Sequence, residues 1–256
     1  MRIGFAGAGS MAAAIARGWA AGPGGPERML FCDAGSGRAR ELAERTGGEA
    51  VESLAELARQ SDAVVLAVKP AALEVAAERL ADDADAIVSV LGATPLARLR
   101  ELFAGATVVR LVPTVAVEVR RGVICHAPLE HAKGVTGTRL LELFNELGHL
   151  VELPDDLIDA ATAIMACPPA YLALVVQALA EAGAEAGIDP EQAGELVVEA
   201  FDGTVELLRR YDPITVRAAV ASPGGSTEAG LGALADRGVA DSFRAAVAAS
   251  LERMRG

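Results

Sequence analysis

Cysteine, histidine and aromatic side chains are all scarce in this chain, and each shortage removes a class of function. Three cysteines, Cys32, Cys125 and Cys167, lie far apart in 256 residues, which gives neither a disulfide framework nor a metal-ligand spacing. The three histidines, His126, His131 and His149, are equally scattered, so no metal centre is expected. Cys125 and His126 are neighbours on an expected strand, where they point to opposite faces. Aromatic residues make up 4% of the chain, too few for a base-stacking platform. Excess positive charge is missing as well. A net charge of −12 argues against nucleic acid and anionic membrane as partners, since both need a basic face. An anionic cofactor stays open, because local amides and one or two arginines set phosphate affinity. Hydrophobic residues reach 52%, yet no run reads as long and charge-free enough to cross a bilayer. The first residues imitate a secretory signal, but Gly4, Gly7 and Gly9 interrupt it, and the chain reads as cytoplasmic.

Those glycines belong to a phosphate turn. Residues 2–6 read as a short apolar strand, Gly7-Ala8-Gly9 as a tight turn, and residues 10–21 as a helix. Gly7 permits the sharp turn, Gly9 lets a pyrophosphate approach bare backbone, and Ala12 keeps helix and strand close. Unpaired amides at the helix start then face the anion, with the helix dipole in support. Asp33, at the end of the second strand, supplies the acid that such units place on the ribose hydroxyls; the plainer reading is a strand-end turn residue. A strand–turn–helix that binds nothing is the alternative for the whole motif.

Short apolar strands alternate with helices through the first part of the chain. The strand candidates are 2–6, 29–33, 63–68, 86–90, 107–111 and 122–126, with a further short segment near Val151. Helical patterns cover 38–46, 54–59, 71–80, 95–103 and 139–147. Continuous apolar strands suit a parallel sheet covered on both faces. The expected class is α/β: an N-terminal Rossmann-like doubly wound sheet over residues 1–153, then an all-α C-terminal dimerisation domain over 154–256. Helices are expected there at 155–166, 169–186, 190–211, 213–221, 227–237 and 240–255, several opened by proline. The segment 171–179 is apolar over most of its circumference and must be buried, inside the bundle or against a second subunit.

A second anion-binding candidate lies near the C-terminus, in Ser222-Pro-Gly-Gly-Ser-Thr227. Two glycines after Ser-Pro force a loop, and Ser226 or Thr227 is expected to cap the next helix. Exposed amides and hydroxyls there suit a small carboxylate. An ordinary capped loop is the alternative.

Together these segments resemble the pyrroline-5-carboxylate reductase family. The opening Gly7-Ala-Gly-Ser-Met-Ala12, the step Ala67-Val-Lys-Pro70, Pro169-Ala-Tyr171 and the 222–227 loop follow the family's order over nearly the whole chain. The resemblance implies hydride transfer from NAD(P)H to the C=N bond of a cyclic imino acid, pyrroline-5-carboxylate going to proline in a homodimer or higher homo-oligomer. Gly7, Ala8, Gly9, Ser10, Met11, Asp33, Val68, Lys69 and Pro70 would hold the cofactor. Ser222, Gly224, Gly225 and Ser226 would seat the substrate carboxylate, and Thr227 would donate to the ring nitrogen as the catalytic residue. For Lys69 the choice lies between charge near the cofactor and shaping of the strand exit; the second is preferred. Asp33 repels an added 2′-phosphate and tilts the choice slightly to NADH, while Arg38 and Arg40 either offset that repulsion or stay solvated. The chain departs from the family at 112–117, where Thr114 stands for an asparagine, at Cys167-Pro168, and at Gln177. Each change alters a polar group near the expected pocket. The alternatives are therefore a related reductase for another imine or carbonyl, and a non-catalytic dimeric relative.

Overall fold

The computed structural model describes residues 1–129 and 135–255. Eight strands form one sheet: β1 (Arg2–Ala6), β2 (Arg28–Cys32), β3 (Glu49–Ala50), β4 (Ala63–Leu66), β5 (Ala86–Ser89), β6 (Thr107–Pro113), β7 (Gly122–His126) and β8 (Gly148–Glu152). Their order is β3-β2-β1-β4-β5-β6-β7-β8. All neighbours pair in parallel except β6 and β7, where Leu111 lies opposite His126. Strand order reverses between β1 and β4, which makes the carboxyl ends of these strands the place where such sheets bind ligands. Runs such as Ala63-Val-Val-Leu66 are buried on both faces, as their lack of polar alternation requires.

Both faces are covered. On one, α1 (Ser10–Ala20), α2 (Arg38–Thr46) and α6 (Val135–Asn145) pack on Ile3, Phe5, Val65 and Val88. Trp19 anchors this layer: it is 2% exposed, lies against Phe5 and Phe144, and donates its indole N–H to the Leu143 carbonyl at 3.1 Å. On the other face, α3 (Leu54–Gln60), α4 (Leu73–Leu80) and α5 (Leu96–Leu102) bury Leu57, Leu80 and Leu99 against Leu30, Val64 and Ile87. Beyond them α7 (Ile158–Met165) places Ile158 and Ala161 on Val112 and Cys125. The sheet is therefore doubly wound, and Met1–Cys167 belong to one compact unit.

Residues Pro168–Arg253 form the second unit. It is helical: α8 (Pro168–Glu185), α9 (Pro190–Leu208), α10 (Pro213–Val220), α11 (Ser226–Asp236) and α12 (Val239–Arg255). Asp189 and Asp212 cap α9 and α10, each followed by proline in the first turn. Tyr171 on α8 and Ser250 on α12 share a 2.9 Å hydrogen bond. Among its described residues only Ala193 is a buried hydrophobic. Leu174, Ile214 and Val220 are 60% exposed or more, a surface that such a unit does not keep in water without a partner.

One expectation fails here. Between Asp159 and Glu181 no charged residue occurs, and Asp155–Glu185, 31 residues holding an 18-residue window of mean hydropathy 1.8, is long and apolar enough by composition to cross a membrane. The acids gather at its two ends, so scanning for dispersed charge hides the run. Pro168 divides it into α7 and α8, and α7 is committed to the sheet.

Candidate active site

At the amino edge of α1 the chain is shaped by close approach. The Gly7 amide donates to the Cys32 carbonyl at 2.8 Å, and Gly7 has φ +101°. A Cβ there would stand 2.5 Å from the Ala67 carbonyl oxygen, so only glycine lets the turn pass the end of β4. Gly9 differs. It is the N-cap of α1 at φ −79°, makes no side-chain cap, and a Cβ on it would meet nothing within 4 Å. The bare backbone at Gly9 thus faces open space, and the first-turn amides of Ser10, Met11 and Ala12 have no acceptor within the helix, the arrangement that cradles a phosphate. Ala8 is buried and Ser10 exposed beside them. These residues fit a dinucleotide's pyrophosphate.

A hollow of about 190 Å³ adjoins this turn between α1 and α2, walled by Gly9, Ser10, Arg17, Arg38 and Arg45. Arg17 pairs with Glu118 and Arg45 with Glu41, both at 2.9 Å, while Arg38 donates to the Ser36 hydroxyl at 3.0 Å. Asp33 follows β2 in the turn that leads into α2. Its carboxylate accepts from the Gly35 amide (2.9 Å), the Ser36 hydroxyl (2.6 Å) and the Ala39 amide (3.0 Å), so it organises the turn into α2. Partial burial pushes this carboxyl up, but the bonds from Ser36, Ala39 and Gly35 outweigh it and hold Asp33 below the usual carboxylate range. The turn role weighed for Asp33 is therefore real, and one lone pair, on Oδ1, remains for a ribose hydroxyl.

Past β4, Val68 is half-buried and Lys69 and Pro70 are exposed. The Lys69 carbonyl accepts from the Ala72 amide at 2.9 Å, and Pro70 opens a short 3-10 turn. The backbone of this step thus shapes the exit from β4, and the Lys69 side chain is exposed. Thr114, after β6, is 6% exposed; its amide donates to the Val123 carbonyl at 2.9 Å and its hydroxyl accepts from the Val123 amide at 3.0 Å. Val115, by contrast, is 45% exposed.

The 222–227 loop lies in the second unit. Gly224 has φ +73°, and the Gly225 amide closes on the Ser222 carbonyl at 2.9 Å. Capping differs from expectation: Gly225 is the N-cap of α11, without a side-chain cap, and Ser226 and Thr227 occupy the first turn, both exposed. The Glu228 carboxylate instead accepts from the Gly224 amide at 2.7 Å. An internal carboxylate thus occupies one of the loop's amides. An acid four residues after a glycine at a helix start was the available signal. Cys167 is half-buried, and Gln177 donates to Glu181 at 2.7 Å. Among the described residues no group of three His, Cys, Asp or Glu is placed to hold a metal; His131 lies outside them.

Comparison with known proteins agrees with this layout. Residues 155–256 match the family described as pyrroline-5-carboxylate reductase dimerisation, and residues 2–92 one described as NADP oxidoreductase, coenzyme F420-dependent. The chain is 33% identical over 255 residues to the pyrroline-5-carboxylate reductase of Thermus thermophilus, covering 99% of this chain and 97% of that one. To the Synechocystis reductase it is 30% identical over 258 residues, with 99% and 97% covered. Among solved structures, Plasmodium falciparum pyrroline carboxylate reductase with NADP bound gives a TM-score of 0.91 at 25% identity, covering 100% of this chain and 97% of the other. The Streptococcus pyogenes enzyme gives 0.90 at 25% identity, with 100% and 98% covered.

Proposed function

Because the chain belongs to the pyrroline-5-carboxylate reductase family, we propose that it reduces the C=N bond of pyrroline-5-carboxylate to give proline, with NAD(P)H as hydride donor. The observation that carries this is one chain holding both a glycine turn fit for a pyrophosphate and a Ser-Pro-Gly-Gly loop at a helix start, within relatives matched over their whole length. Residues 1–153 bind the dinucleotide in this reading, and 154–256 bind substrate and dimerise.

The cofactor, when bound, supplies the hydride. The protein's own residues orient and satisfy charge. Gly7, Ala8, Gly9, Ser10 and Met11 take the pyrophosphate on backbone amides, Asp33 takes the ribose, and Val68, Lys69 and Pro70 border the nicotinamide half. Ser222, Gly224, Gly225 and Ser226 receive the substrate carboxylate, for which the Gly224 amide must first leave Glu228. As hydride reaches carbon, the ring nitrogen keeps its proton and takes the electron pair of the C=N bond, and Thr227 donates to the lone pair that forms there. A protonated imine accepts hydride readily, so no histidine acid is needed.

A second copy of this chain covers the apolar helices of the second unit, and it, rather than lipid, covers α8 in a cytoplasmic protein, while α7 lies on the sheet. Between the two nucleotides the reading leans to NADH. Ionised Asp33 repels a 2′-phosphate, and Arg38, held at Ser36, offsets only part of that repulsion. Asp33→Asn should raise the NADPH/NADH ratio of kcat/KM; an unchanged ratio discards the lean.

The test of function is direct. Synthetic pyrroline-5-carboxylate with NADH or NADPH should yield proline at steady turnover. Dinucleotide binding with turnover only on other imines would instead select the second reading, which the exposed Val115 and the inward Thr114 favour.

A further inference from the structure

Arg110 is a buried cation that the proposed chemistry does not use. It stands in β6 at 2% exposure, between the apolar cluster under α5 and the one under α7. Its guanidinium donates to Asp155 Oδ1 at 2.7 Å and to Asp159 Oδ1 at 2.8 Å. Its Nε is buried with no hydrogen-bond partner among the described residues. Burying a charge this way is costly, and apolar replacement of such a group often stabilises a fold. Something other than stability keeps it.

Asp155 shows what that is. Its second oxygen accepts from the Leu96 amide at 3.0 Å, the first residue of α5, whose N-cap Pro95 offers no side-chain cap. Residues 90–95 connect β5 to this helix and leave the carboxyl end of the sheet two strands from the phosphate turn, where the nicotinamide half of a dinucleotide runs. The loop is strained: Ala93 holds φ +56°, a left-handed conformation that costs alanine about 1–2 kcal/mol. Thr94 beside it is buried, its hydroxyl on the Gly92 carbonyl at 3.3 Å.

We infer that Arg110 and Asp155 are positioning residues: the buried guanidinium fixes Asp155, Asp155 fixes the start of α5, and that anchor holds the 90–95 loop in the strained shape that receives the nicotinamide half. The inference rests on the dinucleotide site proposed above. Asp159 supplies a control. It pairs with the same guanidinium at nearly the same distance and is 32% exposed against 30% for Asp155, yet it makes no bond to α5.

Isothermal titration with NADH on the full-length protein tests this without requiring turnover. Asp155→Asn should weaken binding about five- to tenfold, the scale of one ordinary hydrogen bond, with kcat at saturating cofactor changed less than twofold. Asp159→Asn should leave the dissociation constant within about twofold, despite a comparable loss of melting temperature. Adding Ala93→Gly to Asp155→Asn should restore much of the affinity, since glycine adopts the left-handed turn without help. Equal effects of the two aspartate variants, or no coupling between Asp155 and Ala93, would overturn the inference. If Asp155→Asn does not fold, hydrogen exchange of the wild-type Leu96 amide decides: slower exchange on NADH binding supports it, unchanged exchange refutes it. Intact NADH binding and coupling with no proline formed would sink the proposed reaction but leave this inference standing.

Discussion

Two glycines two residues apart should respond to the same substitution in opposite ways. In Gly7→Ala the new methyl would meet the Ala67 carbonyl oxygen at 2.5 Å and its carbon at 2.8 Å, at φ +101°. Those are backbone atoms that move only if the end of β4 moves. Conformational strain and overpacking together cost about 2–5 kcal/mol, or about ten degrees of melting temperature at this size. Gly9→Ala meets no atom within 4 Å at an ordinary φ of −79°. A stiffer unfolded chain stabilises it by about 0.4–1 kcal/mol, and alanine's poorer fit at an N-cap offsets about as much. Melting should move by no more than about two degrees. The methyl would nonetheless stand over the first-turn amides of α1, where a pyrophosphate must lie. Crowding worth about 1–3 kcal/mol predicts a five- to hundredfold rise in the NADH dissociation constant. Thermal melts and isothermal titration on both variants measure the contrast. A folded Gly9→Ala protein that binds NADH as the wild type does would mean that no dinucleotide approaches this backbone, and the site would have to be sought elsewhere.

Other expectations follow from single contacts. Thr227→Val should lower kcat/KM for pyrroline-5-carboxylate by about ten- to a hundredfold, the scale of one lost hydrogen bond in the transition state; unchanged kinetics would remove Thr227 from the chemistry. Glu228→Ala frees the Gly224 amide and should lower KM for the carboxylate-bearing imine while leaving KM for 1-pyrroline, which lacks the carboxylate, unaltered. A parallel shift for both substrates would show that Glu228 merely shapes the loop. Asp62 is held below the ordinary carboxylate range, first by the Arg2 guanidinium bond, against some burial, and then by the Arg2 amide. With its folded pKa depressed, its contribution is complete above the unfolded value and fades as pH falls below about 4. Melting temperatures of Asp62→Asn should therefore fall less steeply on acidification than those of the wild type, and identical slopes would contradict the linkage.

Strands buried on both faces were readable because their burial forbids polar alternation; β4 and β5 are examples. β3 was not, since Glu49–Ala50 are two exposed residues that join only through pairing with Leu30 and Phe31. The phosphate turn was legible because close approach to Ala67 leaves glycine as the sole solution at one position, and a sequence records such exclusions. Asp33 was only half legible. Its type fits both a ribose ligand and a turn, and its bonds to residues two, three and six places on carry no distinctive spacing. Arg110 was invisible, because a lone arginine in an apolar strand acquires meaning only when Asp155, forty-five residues later, arrives beside it.

The position of Trp19 has a practical corollary. It is the sole indole of the chain, and it lies nine residues along α1 from Ser10, about 14 Å at helical rise. Shielded from solvent between Phe5 and Phe144, it should fluoresce at short wavelength, where reduced nicotinamide absorbs. Docking of the coenzyme would then dim this emission by resonance transfer, whereas denaturation would shift its colour to the red. One native fluorophore would report occupancy and unfolding through separate optical signatures, with no dye attached.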